Sequence, residues 1–207
     1  MKRPGQLDLD LKRHGGKRRG AGRKPIHGKA GMPHRSRPLL ARRLPVHVTL
    51  RVAREVWNLR SKRCFRVIRG AFVDGNDRFG FRLNQFSVQG NHVHLIVEAE
   101  DTRALSRGVK GLEVRMARRL NTLMRRRGNV FPDRYHAHIL RTPSEVRRAL
   151  HYVLGNLHKH ERERGNQLLP NQIDEYSSAY HDATAPPAIA PARTWMLRSA
   201  LSNGASR

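Results

Sequence analysis

The sequence predicts an α+β fold. The expectation is a ferredoxin-like βαββαβα sandwich, an antiparallel sheet with helices on one face, between a disordered basic N-terminal arm and a disordered C-terminal tail. Three observations carry it. Apolar residues alternate with a period of two in PVHVTLRV (45–52), as on a strand with one buried face. FRLNQFSVQG (81–90) and NHVHLIVEAE (91–100) read as the two halves of a hairpin turning at Gly90-Asn91. Stripes at i, i+3 and i+4 mark amphipathic helices further along.

Taken in order, residues 1–44 hold fourteen Lys or Arg against two Asp, with frequent Gly and Pro and no apolar period, so they read as a flexible basic arm. Within it GKRRGAGRKP (16–25) resembles an AT-hook, which makes Arg18, Arg19, Arg23 and Lys24 candidate DNA contacts, although Lys24 separates Arg23 from Pro25. The plainer reading is an arm that touches phosphates without sequence preference. The domain proper, 45–165, opens on the strand with Val46, Val48 and Leu50 alternating with His47, Thr49 and Arg51. A helix from about Arg54 to Ala71 follows, then the turn-rich DGNDRFG and the hairpin.

From Thr102 to Arg127 the stripe Leu105, Val109, Leu112, Met116, Leu120 and Leu123 defines one helical face. Arg103, Arg107, Lys110, Arg115, Arg118 and Arg119 cover the others and are candidate phosphate contacts; Arg125-Arg126-Arg127-Gly128 suits a helix end. RYHAHILR (134–141) is a further short strand. In Thr142-Pro143-Ser144-Glu145 the threonine can cap a helix, proline fits the first helical position, and the stripe Val146, Leu150, Val153, Leu157 carries that helix to about Arg164. Residues 166–207, with ATAPPAIAPA, read as an Ala/Pro-rich tail with a short terminal helix around Trp195 to Leu201.

Composition narrows the partner. Forty-two Lys plus Arg against sixteen Asp plus Glu leave a formal charge of +26, and a compact chain that basic calls for a polyanion. Nucleic acid is the expected one. No long apolar stretch, lipidation signal or signal-peptide core points to a membrane, so the expected location is cytoplasmic, nucleoid-associated. The single cysteine, Cys64, excludes an internal disulfide and a cysteine zinc site.

The sharpest chemical signal is His92 and His94. Two residues apart on a strand, they project from one face, as metal ligands or catalytic groups would need, or as polar positions of a half-exposed strand would. Tyr152 and Asn156, four apart on the last helix, stack on one face beside its apolar stripe. NHVHLIVE, then RYHAHILR, then a helix containing YVLGN resembles the single-tyrosine HUH transposases of the insertion-sequence type, and most of all the REP-associated tyrosine transposases, over roughly residues 45–165. Arg134, Tyr135 and His138 match that branch's arginine-tyrosine strand with a following histidine. GNLHKH and FPDRY depart from its pattern, which bears on subgroup and target sequence more than on chemistry.

The resemblance implies that His92 and His94 bind a divalent metal, Mg²⁺ or Mn²⁺, with Asn156 completing the ligand set and His138 supporting the site from behind. It makes Tyr152 the nucleophile on single-stranded or hairpin DNA, with a 5′-phosphotyrosine intermediate and a free 3′-OH. The physics agrees: a tyrosine hydroxyl is a weak nucleophile and a phosphodiester repels attack, and a metal held by imidazoles and an amide oxygen relieves the second difficulty.

Rival readings remain at this level. His136 and His138 form a second HxH pair, and Tyr135 is a rival nucleophile, although a strand tyrosine is more often core. Other functions are a domesticated DNA- or RNA-binding protein that does not cut, a replication or conjugation nicking enzyme, and a chromosome-coating protein, which would leave the strand histidines unused. A homodimer, with the last helix working in cis or in trans, is open.

Overall fold

The computed structural model describes residues 38–155, 172–180 and 184–202. In it the alternating segment forms β1 (Val46–Arg51), with Val46, Val48 and Leu50 buried and His47 and Thr49 half-buried. The hairpin forms β3 (Phe81–Val88) and β4 (His92–Ala99), closed where Gln89 N–H donates to His92 O at 2.8 Å. The RYHAHILR segment forms β5 (His136–Ile139), and the turn-rich stretch contributes a short strand, β2 (Asp77–Arg78). All pairings are antiparallel and the order is β2-β3-β4-β1-β5, the ferredoxin-like arrangement with β2 added at one edge.

Four helices complete the described residues: α1 (Lys62–Val73), α2 (Thr102–Leu123), α3 (Pro143–Leu154) and α4 (Trp195–Ser202). α1 begins eight residues later than its apolar pattern suggests. Its start is set by Ser61, whose hydroxyl accepts from Cys64 N–H at 3.2 Å, while Ala53 and Leu59 N–H donate to Val130 O and Gly90 O and hold the preceding segment in turns. α2 ends at Leu123, before the expected glycine. Arg125 takes a left-handed φ of 50°, Arg125 N–H reaches Thr122 O and Arg126 N–H reaches Asn121 O, a Schellman-type closure made without Gly. α3 starts as its sequence requires: Thr142 Oγ1 accepts from Glu145 N–H at 3.2 Å, and Pro143 opens the helix.

The helices lie on both faces of the sheet, which corrects the one-face expectation. Val46, Val48, Leu50, Val93, Leu95 and Val97 point to α1 and α2, packing with Cys64, Ile68, Phe72, Val109, Leu112 and Met116. The alternate residue Ile96 points the other way and packs with Leu140, Val146, Leu150 and Val153 of α3 and Leu197 of α4. The apolar stripes of α1, α2 and α3 do not say which side each covers; the strand period, applied to Leu95 and Ile96, does.

A second correction concerns the C-terminal residues expected to form a disordered tail. Residues 172–180 and 184–202 are packed, with Asp174, Ser177, Ala188, Ala190, Thr194 and Leu197 buried. Val88 N–H donates to Tyr176 O, Ser178 N–H to Phe86 O and Ala190 N–H to Leu83 O, so the segment covers the otherwise open edge of β3. Arg60 fixes it with a two-pronged pair to Asp174 at 2.9 Å, stacked 4.4 Å above the Tyr176 ring. Glu98, fully buried on β4, accepts from the backbone N–H groups of Arg193 (2.9 Å) and Thr194 (2.7 Å) just ahead of α4, and from Arg82 at 3.3 Å. Burial raises its pKa, but those donors outweigh it and hold the carboxyl below its ordinary value.

Candidate active site

The register of the sheet builds the site. Thr49 stands opposite His94, Arg51 opposite His92 and His47 opposite Ile96, so these side chains share the face that α3 covers. α3 rests on that face through Val146, Leu150 and Val153, which carries Tyr152, 37% exposed, over the strand histidines. Its hydroxyl lies 3.5 Å from His94 Nε2, and the two rings meet edge to face at 5.1 Å and 76°. Within one chain, therefore, Tyr152 and the first HxH pair come together.

Second partners set the histidine tautomers. His92 Nδ1 lies 2.8 Å from Asn91 Oδ1, and an amide oxygen only accepts, so the ring proton sits on Nδ1 and Nε2 keeps its lone pair. His94 Nδ1 lies 3.1 Å from Thr49 Oγ1 and 3.2 Å from His47 Nε2. Burial, reinforced by the positive fields of His136 and His138, lowers the His47 pKa to about 4, so this imidazole is neutral at pH 7 and its Nε2 can accept a hydrogen bond from His94 Nδ1. That leaves both Nε2 atoms turned toward each other, 3.0 Å apart. The spacing suits two nitrogens each about 2.1 Å from one shared ion. Among the described residues no group of three or more His, Cys, Asp or Glu is arranged to hold a metal, and Asn156, the third ligand expected, lies outside the described residues.

His47 and Thr49 are the site residues that sequence reading passed over. Their signal was present as the polar half of the first strand's alternation. It had no target until the β1–β4 pairing set Thr49 against His94.

The second HxH pair lies on β5, His138 opposite His47 and His136 opposite Thr49, both exposed. It shares the sheet face with the first pair, and its electrostatic effect falls on His47. Tyr135 is 7% exposed and belongs to the core on the α1/α2 side, away from this face.

The basic residues of α2 are not brought to Tyr152. Arg103, Arg107, Lys110 and Arg118 are exposed and Arg115 is half-buried on a helix behind the sheet; Arg119 is engaged by Asp74 at the end of α1. Arg18, Arg19, Arg23 and Lys24 lie outside the described residues.

Comparison with known proteins gives the family and the fold. The model of the IS200-like transposases matches residues 42–155, more than half of the chain, and the chain belongs to that family. A solved REP-associated tyrosine transposase bound to a REP hairpin shares the fold, with a TM-score of 0.51 at 15% identity over 74% of this chain and 100% of that one. A transposase-like protein of Deinococcus radiodurans R1 gives a TM-score of 0.40 at 16% identity, over 68% of this chain and 99% of that one. No curated protein matches the sequence. Among the described residues no helix is long and apolar enough to cross a membrane.

Proposed function

We propose that this transposase cleaves and rejoins single-stranded DNA beside a hairpin, through a covalent 5′-phosphotyrosine at Tyr152. The observation that carries the reading is the Tyr152 hydroxyl, 3.5 Å from His94 Nε2, above two imidazole nitrogens 3.0 Å apart. Hairpin DNA is the ligand in the similar REP-associated transposase, and the excess of Lys and Arg in this chain suits such a polyanion.

His92 and His94 would hold a divalent ion, Mg²⁺ or Mn²⁺, with Asn156 as the third ligand, and His138 would support the site from behind His47. The ion's chemistry is to polarise a phosphate oxygen and stabilise the departing 3′ oxygen. Thr49 and His47 keep His94 aimed, and Arg51, opposite His92, sets a cation where a phosphate would lie. The Tyr152 oxygen forms a bond to phosphorus as the bond from phosphorus to the 3′ oxygen breaks. The phenolic proton leaves to solvent at this partly exposed residue, and the 3′ oxygen gains one. Because a phosphodiester is exchanged for a phosphotyrosine ester, another 3′-OH can reverse the step and join strands without ATP. Residues of the arm (Arg18, Arg19, Arg23, Lys24) and of α2 (Arg103, Arg107, Lys110, Arg115, Arg118, Arg119) would supply phosphate contacts outside the reacting centre.

The test incubates end-labelled hairpin oligonucleotides from DNA flanking the gene with the protein, in Mn²⁺ or in EDTA. A metal-dependent adduct that survives denaturation and disappears in Tyr152→Phe is expected. Tight binding with no adduct on any flanking strand would replace this reading with that of a DNA-binding protein.

A further inference from the structure

The segment between β1 and α1 is tied to the end of the sheet where β4 begins. Val52 N–H donates to Asn91 O (3.0 Å), Leu59 N–H to Gly90 O (2.9 Å) and Ala53 N–H to Val130 O (2.9 Å), which joins it to the β3–β4 turn and to the loop after α2. That turn carries Asn91, whose side chain meets His92. Trp57 stands two residues from Leu59, and His92 two residues from Gly90, so their Cα atoms are no more than about 20 Å apart by the reach of the chain.

Trp57 is 46% exposed and is held in place. Its backbone N–H donates to Met124 Sδ at 3.4 Å, and the Arg63 guanidinium lies over the indole, 5.6 Å from the ring centroid. A single exposed apolar side chain is ordinary on a protein surface; the company of this one is not. Residues 51–63 and 124–130 together hold eight Lys or Arg against one acid, Glu55. Arg60 is taken up by Asp174, while Arg51, exposed and opposite His92, lies on the way from this segment to the candidate site. A flat, anchored, half-exposed aromatic among cations is the combination that grips a single-stranded nucleic acid, whose bases offer π-faces and whose backbone offers charge.

We infer that Trp57 is a stacking platform for an unpaired base of the single strand that Tyr152 engages; the inference rests on the function proposed above. The base lies on the indole, Arg63 adds cation–π attraction to the stack, and arginines of the two loops meet the flanking phosphates. Any base can stack, so the contact distinguishes unpaired from paired strands and not one sequence from another. From Trp57 the strand passes the Gly90-Asn91 turn and Arg51 to reach Tyr152.

The experiment uses the full chain carrying Trp195→Phe, which leaves Trp57 as its single tryptophan. Its emission is followed as a thymidine dodecamer is added, and in parallel an abasic dodecamer with the same phosphates and no bases. The thymidine strand is expected to quench Trp57, and the abasic strand to bind without quenching. By fluorescence anisotropy of the labelled strands, Trp57→Ala should weaken the thymidine strand about tenfold and the abasic strand less than about twofold. Trp57→Phe keeps a ring and should bind the thymidine strand within about threefold of the parent. The quench needs no change at Trp57, so it carries the test where thermal melting shows Trp57→Ala unfolded. Equal quenching by both strands, equal losses in a folded Trp57→Ala, or no binding of the thymidine strand overturns the inference; the adduct assay at Tyr152 is read separately. A base-dependent quench with no Tyr152 adduct would instead overturn the proposed cleavage and leave a stacking platform on a protein that only binds DNA.

Discussion

The two faces of the sheet are made from the same strands and are opposite in character. Toward α1 and α2, β1 and β4 present Val46, Val48, Leu50, Val93, Leu95 and Val97, all buried among aliphatic and aromatic side chains. Toward α3 and α4 the intervening residues are His47, Thr49, Arg51, His92, His94 and Glu98, with Ile96 the one apolar residue among them. The first face can be dry because nothing on it needs a partner. The second stays polar at the cost of supplying a partner for each buried group: Thr49 and His47 for His94, and the backbone ahead of α4 for Glu98. Period-two alternation thus lets one sheet carry a dry core on one face and the candidate site on the other.

The largest effect should come from the polar face. Tyr152→Phe is expected to abolish covalent DNA capture while shifting unfolding by less than about 0.5 kcal/mol, since the residue is partly exposed; denaturing gels and urea melts read the two quantities. Loss of stability comparable to a core substitution would show that the faces are not separated. On the apolar face Leu95→Ala, one residue from His94 and fully buried, should cost about 2–5 kcal/mol by chemical denaturation. The folded fraction should keep its metal-dependent adduct.

Glu98→Gln tests the boundary between the faces. Removing the charge from a carboxylate that accepts from Arg193, Thr194 and Arg82 should cost about 1–3 kcal/mol. The C-terminal segment should then become more accessible to protease. The pH dependence has a definite sign. The folded pKa lies below the ordinary 4.5, so the wild-type carboxylate contributes its stability above pH 4.5 and loses it as pH falls through the folded value. In Glu98→Gln this part of the acid limb should vanish. The smallest effect is at the helix start: Thr142→Ala removes the cap of α3 and should cost about 1 kcal/mol. If Tyr152 depends on that turn for its placement, adduct yield in the folded fraction will fall as well.

Much of this was legible beforehand. The hairpin, the α2 stripe and the Thr142 cap are local signals, written in residues a few positions apart, and the structure contains all three. The pairing of Tyr152 with His92 and His94 followed from a family resemblance together with a helical stripe. The role of His47 was not legible, because a polar residue on a strand acquires meaning only from its neighbour across the sheet. The packing of the Ala/Pro-rich C-terminal segment was hidden too. Its composition lacks a helical or strand period, and its order depends on remote groups such as Arg60 and Glu98, 114 and 96 residues from their partners Asp174 and Thr194.

By itself, then, the sequence determined the elements, the basic character and the residue types available for chemistry, because periodicity, capping and charge are properties of short stretches of chain. Tertiary structure alone decided that α3 lies across the sheet from α2, that Thr49 and His47 hold His94, and that the C-terminal segment closes the edge of β3. Those outcomes depend on strand register and on which buried group finds which donor. Both are settled only when distant parts of the chain compete for the same surface.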